Sequence, residues 1–303
     1  MKFLIGGGTG FIGKALIASL SRGAHTIVVL TRSDRRDGIQ GDASIRYARW
    51  DGRTQGAWAH EMDDVDCVIN LTGKSLISGR WTPAVKRELE ESRLQPVEAL
   101  VRAMRDARRA PSLFVSVSAV GYYGDTGAAI VDESAPPGSD FLATLTLKWE
   151  AAAQEAAVLG VRTVTPRMGI VLEKNDGALE KMAMPFKFFV GGWIGSGTQY
   201  LSWIHMRDLI DALVLPVSDT SLSGAYNCTA PNPVTMEEFC RAIGRAMGRS
   251  CWTRMPEWAA KAVLGEAAKM LLTGQRAMPR RLTEAGFQFQ YGNVDEALRN
   301  IFH

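Results

Sequence analysis

The feature that most constrains the fold lies at the N-terminus. A short apolar run, Lys2-Phe3-Leu4-Ile5, leads straight into Gly6-Gly7-Gly8-Thr9-Gly10-Phe11-Ile12-Gly13. An amphipathic segment follows, with Leu16, Ile17 and Leu20 at helical spacing. Strand, glycine turn and helix, in that order, form the context that a dinucleotide-binding fingerprint requires. The spacing here is Gly7-x-x-Gly10-x-x-Gly13, not the G-x-G-x-x-G of many dehydrogenases. Gly7 permits the tight turn. Gly10 lets the backbone approach a pyrophosphate set against the free N–H groups of the helix start. Gly13 lets helix and strand pack closely.

The first half continues the alternation. His25 to Leu30 reads as a second buried strand ending at Thr31-Arg32. An NAD-binding chain usually places Asp or Glu about twenty residues past the fingerprint, on the ribose 2′-hydroxyl. This chain has Arg32 there, with Arg35 and Arg36 just beyond. A guanidinium can pair with a 2′-phosphate in a forked geometry, which favours NADP(H) over NAD(H). A solvated loop arginine beside Asp34 is the alternative. A weaker strand, Ile45 to Trp50, precedes a clear buried one from Val65 that ends in Leu71-Thr72-Gly73. Ligands lie outside the carboxyl ends of strands in doubly wound sheets, so Leu71, Thr72 and Gly73 should run beneath the cofactor. Pro83 suits the first turn of a helix whose stripe is Leu89, Leu94, Val97, Leu100, Val101 and Met104, with Pro96 as a kink. Leu113 to Ser118 is the next strand, followed by the loop Gly121-Tyr122-Tyr123-Gly124. A strand-end serine followed by tyrosines is where a hydroxyl-bearing site would lie. A helix from about Phe141 to Leu159 carries Lys148-Trp149-Glu150. The fold class is α/β: a Rossmann-type doubly wound parallel sheet with a smaller, helix-rich C-terminal substrate lobe.

Composition narrows the partners. The chain has 303 residues, 46% hydrophobic and 22% charged, with a net charge of +3. The charges are interspersed, which argues for neither a nucleic-acid surface nor a membrane patch. Four cysteines form no C-x-x-C pair and there are four histidines, so a metal site has little to build on. Reduced thiols fit a cytoplasmic setting. No apolar run approaches the roughly 20 residues needed to span a bilayer. Glycines interrupt the N-terminal apolar stretch, unlike a signal peptide.

In the second half, Val161 to Arg167 reads as a strand, and Gly169 to Leu172 leads out over the cofactor. Ala183 to Gly197 is unusually apolar, with Phe186, Phe188, Phe189 and Trp193. It reads as core or subunit contact, which leaves a homodimer open, with a substrate wall as the alternative. Gln199, Trp203 and His205 follow as candidate substrate contacts, and Asp208 as the cap of a helix from Leu209 to Val217. His205 is a candidate ligand or proton donor because imidazole titrates near neutrality; a structural histidine is the other reading. Tyr226-Asn227-Cys228 is a last strand, and Thr235 with Glu238 forms a capping box for Met236 to Met247. Residues 1–168 thus make the nucleotide-binding domain, with strands near 200–206 and 225–228 returning to it. Residues 169–303 make the smaller lobe, ending in a helical module.

These motifs resemble those of the extended short-chain dehydrogenase/reductases, the NAD(P)-dependent epimerase/dehydratase group. The glycine fingerprint, Asn70-Leu71-Thr72-Gly73 and the Ser118 loop carry the likeness. The chain is more similar still to the epimerase-family branch denoted short-chain dehydrogenase/reductase family 39U. The shared marks include Lys148-Trp149-Glu150-Ala151-Ala152-Ala153, Arg167-Met168-Gly169-Ile170-Val171-Leu172, Gly195-Ser196-Gly197-x-Gln199, Trp203-Ile204-His205 and Gly286-Phe287-x-Phe289. The resemblance implies NADP(H) held by Thr31 and Arg32, by Leu71 and Thr72, and by the backbone near Val171; the fingerprint and strand ends add Gly7, Thr9, Gly10, Phe11, Ile12, Gly13, Arg35 and Gly73 as candidate cofactor contacts. It also implies that Glu88 and Arg93 face the cofactor, that Lys148 holds the nicotinamide ribose, and that the tail covers the substrate side. One departure matters. The family pair is Tyr-x-x-x-Lys, and four residues before Lys148 stands Thr144. A threonine hydroxyl is far too weak an acid to replace a tuned phenol. Three readings stay open: Tyr122 or Tyr123 supplies the acid beside Ser118, the reaction is of another kind, or NADP(H) binds without turnover. The leading function is an oxidoreductase or epimerase-like enzyme acting on a small hydroxyl or carbonyl substrate, a nucleotide sugar or related metabolite among them. The alternative is an NADP(H)-sensing protein acting through a protein partner.

Overall fold

The computed structural model describes residues 1–32, 44–77, 79–174 and 176–303. Asp34, Arg35 and Arg36 lie outside the described residues. In the first half the strands are β1 (Lys2–Gly6), β2 (Thr26–Thr31), β3 (Ile45–Arg49), β4 (Cys67–Asn70), β5 (Leu113–Ser116), β6 (Ser118–Ala119), β7 (Ile130–Val131) and β8 (Arg162–Met168). In the second half they are β9 (Ile170–Leu172), β10 (Gly192–Ile194), β11 (Tyr200–Leu201), β12 (Trp203–His205), β13 (Gly224–Cys228), β14 (Val234–Thr235), β15 (Thr253–Met255) and β16 (Arg276–Ala277).

The main sheet has the order β13-β8-β5-β4-β1-β2-β3, with β6 also paired to β8, and its pairs are parallel. Both faces are covered, which explains why β1, β2 and β4 read as continuous apolar runs rather than alternating ones. From β1 the chain winds to one edge through β2 and β3, then returns beside β1 as β4 and winds the other way. The order therefore reverses between β1 and β4, where a doubly wound sheet opens its ligand crevice. Gly6 is in register with Leu30 and Asn70, so three strand ends meet at the mouth of that crevice.

The helices are α1 (Phe11–Leu20), α2 (Pro83–Asp106), α3 (Phe141–Gln154), α4 (Gly177–Lys187), α5 (Met206–Ser218), α6 (Met236–Met247), α7 (Glu257–Leu264), α8 (Lys269–Leu272), α9 (Arg280–Glu284) and α10 (Val294–Phe302). Thr82 caps α2, and the helix runs on through Pro96, where a kink was expected. The capping box of α6 forms as the sequence indicates. At α5 the expectation is corrected. His205 is the cap, its Nδ1 accepting the Arg207 amide at 3.1 Å. Asp208 is fully buried one turn in, where it accepts the amides of Gln290 and Tyr291 at 2.8 and 3.0 Å and so anchors the tail.

One large core packs on the main sheet, and a second gathers α4, α6 and α10 around Phe186, Trp203, Phe239 and Leu298. The return to the main sheet is also corrected. β13 joins it beside β8, whereas β12 does not. Instead β12 pairs in parallel with β9 as a separate ribbon. The reason sits at Gly169. Its amide still bonds Cys228 on the main sheet, while the next amide, Ile170, bonds Ser202. A Cβ at Gly169 would stand 2.5 Å from the Ser202 carbonyl oxygen, so only glycine allows the chain to change partners there. Among the described residues no helix is long and apolar enough to cross a membrane.

Candidate functional site

The glycine turn sits at the sheet's switch point. Gly7 has φ +77°, and a Cβ there would lie 2.8 Å from the Leu71 carbonyl carbon. A Cβ on Gly13 would stand 2.4 Å from the Gly7 carbonyl oxygen, so α1 can approach the turn only with hydrogen at that position. Gly10 caps α1 without a side-chain hydrogen bond, which leaves first-turn amides for a ligand. Across the crevice Asn70 shapes the β4 end. Its Oδ1 accepts the Thr72 amide at 3.2 Å and the Thr72 hydroxyl at 2.7 Å.

Behind this turn opens a cavity of about 930 Å³. Of the residues expected at the cofactor, Gly7, Gly10, Phe11, Ile12, Gly13, Leu71, Thr72, Gly73, Arg93 and Val171 line it, as does Ser118. Thr9, Thr31 and Arg32 are not on its wall. Thr31 ends β2, the strand beside β1, and Arg32 is the exposed residue after it.

Arg93 is the most informative of these side chains. It sits in the buried stripe of α2, between Leu89 and Val97, and is 9% exposed. Its Nη1 donates to the Leu89 carbonyl at 3.0 Å and to Ser92 Oγ at 3.4 Å, and its Nη2 to the Lys74 carbonyl at 3.0 Å. No carboxylate among the described residues pairs with it. Burial pulls the guanidinium down to about 10, still charged at neutral pH. Its guanidinium lies over the Trp149 ring, 5.3 Å from the centroid. The buried Trp149 Nε1 has no hydrogen-bond partner in the protein. A buried charge is normally paired, so a lone cation and an orphaned donor on one wall mark a place for a ligand's acceptor atoms.

Ser118 belongs to a buried polar chain. Its hydroxyl donates to Glu150 Oε1 at 2.6 Å. Arg167 clamps the same carboxylate through Nε and Nη2, both at 2.8 Å, and donates through Nη1 to the Tyr123 hydroxyl at 3.0 Å. Tyr123 in turn donates to Asn227 Oδ1 at 2.8 Å. Burial opposes the Arg167 charge, but Glu150 holds it above the usual arginine value.

Several expected site residues are placed elsewhere. Tyr123 is 4% exposed, and burial pushes its phenol up to about 12 despite Arg167. Its hydroxyl is spent on Asn227, so it is no proton donor to the cavity. Tyr122 packs its ring on the Arg167 guanidinium, 3.4 Å from the centroid, and is likewise off the wall. Lys148 points away and pairs with Glu90 of α2 at 2.6 Å, its side chain half exposed. The α3 positions on the wall are Phe141, Leu142, Leu145, Thr146 and Trp149. Residue 148 is one step off that face, as is the exposed Thr144. No tyrosine or lysine stands on the cavity face of α3. Glu88 is exposed and pairs with Lys74, which does line the cavity.

The three expected substrate contacts are structural. Gln199 Nε2 donates to the Ile194 and Leu271 carbonyls at 2.9 and 2.6 Å. Trp203 is fully buried, with Nε1 on the Asn232 carbonyl at 3.0 Å. His205 stacks on Tyr291 at 3.9 Å, and burial, with Arg207, pulls its imidazole down to about 4. Sequence reasoning missed Tyr200, the tyrosine that does line the cavity, and the tail segment 269–275 that closes it. Nothing in the local pattern at Tyr200 marks it. Arg93 was expected at the cofactor from the family resemblance, and its burial was readable as well, since Leu89, Arg93 and Val97 share a helical stripe.

Switch-point crevice, glycine turn and free helix start together define a dinucleotide-binding α/β protein. Residues 3–228 match the NAD dependent epimerase/dehydratase family, and residues 255–301 match DUF1731, a domain of unknown function. The chain is 38% identical to the Arabidopsis thaliana epimerase family protein SDR39U1 homolog, chloroplastic, over 99% of this chain and 86% of that protein. It is 36% identical to the epimerase family protein SA0724 of Staphylococcus aureus (strain N315), over 99% and 98%. The crystal structure of human epimerase family protein SDR39U1 with NADPH is similar at TM-score 0.88 and 33% identity, covering 100% of this chain and 99% of that one. The chain belongs to the NAD dependent epimerase/dehydratase family.

Proposed function

We propose that the protein binds NADP(H) in this cleft and acts as an oxidoreductase or epimerase-like enzyme on a small hydroxyl or carbonyl compound. The observation that carries the reading is Arg93, a buried cation that no carboxylate among the described residues pairs with, set on the wall that the glycine turn opens. The human relative solved with NADPH supports the choice of cofactor. The amides at the start of α1 and Arg93 would hold the pyrophosphate, and Thr31 and Arg32 would meet the 2′-phosphate. The orphaned Trp149 Nε1 offers a further donor. When bound, the cofactor supplies a hydride with its electron pair at nicotinamide C4; in the reducing direction a proton from water completes the alcohol. Ser118 has committed its proton to Glu150, so its remaining lone pairs accept from a substrate hydroxyl and orient that oxygen.

A second reading is favoured by one observation. The cavity face of α3 carries neither phenol nor ammonium, so an NADP(H)-sensing protein without turnover fits the same pocket. Titration of the purified protein with NADPH and NADH, followed by nicotinamide fluorescence, tests the common part. One equivalent of NADPH should bind, and more tightly than NADH. Binding of neither cofactor overturns both readings.

A further inference from the structure

Beyond the dinucleotide end, the cavity changes chemistry. Its far wall is built by α3, α4, β10, the start of α6 and the tail, through residues such as Phe141, Leu145, Met182, Trp193, Met236 and Met270. Five methionines line the cavity in all, out of twelve in the chain. Methionine is flexible and polarisable, so such a wall adapts to irregular apolar shapes.

We propose that this compartment takes an uncharged, largely hydrocarbon substrate bearing one carbonyl or hydroxyl group, rather than a nucleotide sugar. The inference rests on the assignment of the glycine turn and Arg93 to the cofactor. A nucleotide sugar would bring a second diphosphate, and a buried diphosphate requires cations in forked or multiple contact. The far wall offers no arginine and no buried cation. Lys181 and Lys269 are the cations there, and both are solvent-exposed. Arg93, the buried one, stands at the dinucleotide end.

Four of the wall's polar side chains are spent within the protein, while the buried Nε1 of Trp193 on the same wall has no partner among the described residues. Thr146 donates to the Leu142 carbonyl at 2.7 Å and Ser202 to the Gln275 carbonyl at 2.8 Å. Thr253 donates to the Val190 carbonyl at 2.9 Å, and Gln275 Nε2 to the Gly124 carbonyl at 2.6 Å. A sugar's hydroxyls would lose their water and find few partners, at a cost for each. A hydrocarbon loses nothing of the kind, and a single hydroxyl on it can donate to Ser118, which lines the same cavity.

Calorimetric titration of the NADPH-loaded protein with 1-hexanol, 1-octanol and 1-decanol tests this, with UDP-glucose in parallel. An alcohol with NADPH forms a dead-end complex, so binding is read without turnover. Affinity should rise by about tenfold for each added pair of methylenes, as apolar burial requires. UDP-glucose should give no heat at millimolar concentration. Leu145→Glu, and separately Met270→Glu, should each weaken decanol binding at least about tenfold while NADPH affinity holds; the second site is half-buried and less able to disturb folding. A flat alcohol ladder, decanol binding untouched by both variants, or UDP-glucose binding tighter than decanol would each overturn the proposal. A rising ladder in a protein that fails to bind NADPH would instead remove the cofactor assignment.

Discussion

Replacing Arg93 by Met isolates the charge from the packing. Methionine keeps an unbranched stem in the buried stripe of α2 and removes only the guanidinium. Arginine has five N–H donors, and three are engaged with Leu89, Ser92 and Lys74, which leaves two for a ligand. A hydrogen bond to a charged group contributes roughly 1.5–3 kcal/mol. Losing one such bond raises the NADPH dissociation constant by about tenfold to about 150-fold. The fold should suffer little. The variant frees the Leu89 and Lys74 carbonyls but also removes a buried charge that no carboxylate among the described residues pairs with, and these effects oppose one another. The assay is thermal unfolding with and without NADPH, checked by calorimetric titration. At a hundredfold excess over its dissociation constant a ligand stabilises by about 2.7 kcal/mol. The variant should keep the ligand-free melting temperature of the parent and lose most of the NADPH-induced rise. A folded variant that binds NADPH as the parent does would refute the assignment of Arg93 to the phosphates.

Other substitutions probe the remaining parts. Glu150→Gln strips the buried Arg167 of its carboxylate and should cost about 3–5 kcal/mol in urea unfolding; a loss under about 1 kcal/mol would mean the clamp is not what holds this wall. Lys148→Met should leave NADPH affinity unchanged, because the ammonium is held by Glu90 on the surface; weaker binding would bring that side chain back to the cofactor. Arg32→Asp should weaken NADPH roughly tenfold or more and NADH less, by equilibrium titration; equal losses would show that Arg32 does not read the 2′-phosphate. His205 provides a pH test. Its folded pKa, about 4, lies below the ordinary 6.5, so the unfolded chain takes up the proton first. Its contribution is complete above pH 6.5 and is lost as pH falls toward 4, by about 3 kcal/mol in total. Urea midpoints should follow that fall in the parent and follow it less in His205→Asn, which retains a capping side chain.

The β1 strand, the glycine turn and α1 were legible because their signals are local: an apolar run, a fixed glycine spacing, a helical stripe. The doubly wound class followed from the same alternation of strands and helices, whereas the strand order is a finding of the structure. The register of α3 was not legible. Lys148 looks right in a linear motif, yet which face of a helix meets the cleft is decided by its packing, and Leu142, Leu145 and Trp149 won that face. Gln199, Trp203 and His205 look chemical because they are polar or aromatic in a shared motif. The hydrogen-bonding groups of Gln199 and Trp203 join segments far apart in sequence, at Leu271 and Asn232, which no single window displays. The apolar compartment was hidden for a related reason. Phe141, Met182, Met236 and Met270 stand on four different helices, and only the closure of the tail makes one wall of them.

The central claim, that a dinucleotide at the glycine turn delivers hydride into the apolar compartment, is tested most directly with NADPH deuterated at nicotinamide C4. The protein is incubated with each C4-deuterated form of this cofactor and decanal, and the decanol formed is weighed by mass spectrometry. One deuterium should appear at the carbinol carbon from one of the two forms, in step with loss of NADPH absorbance. Unlabelled decanol from both forms, or none formed although NADPH and decanol bind, would contradict hydride transfer and leave the sensor reading in its place.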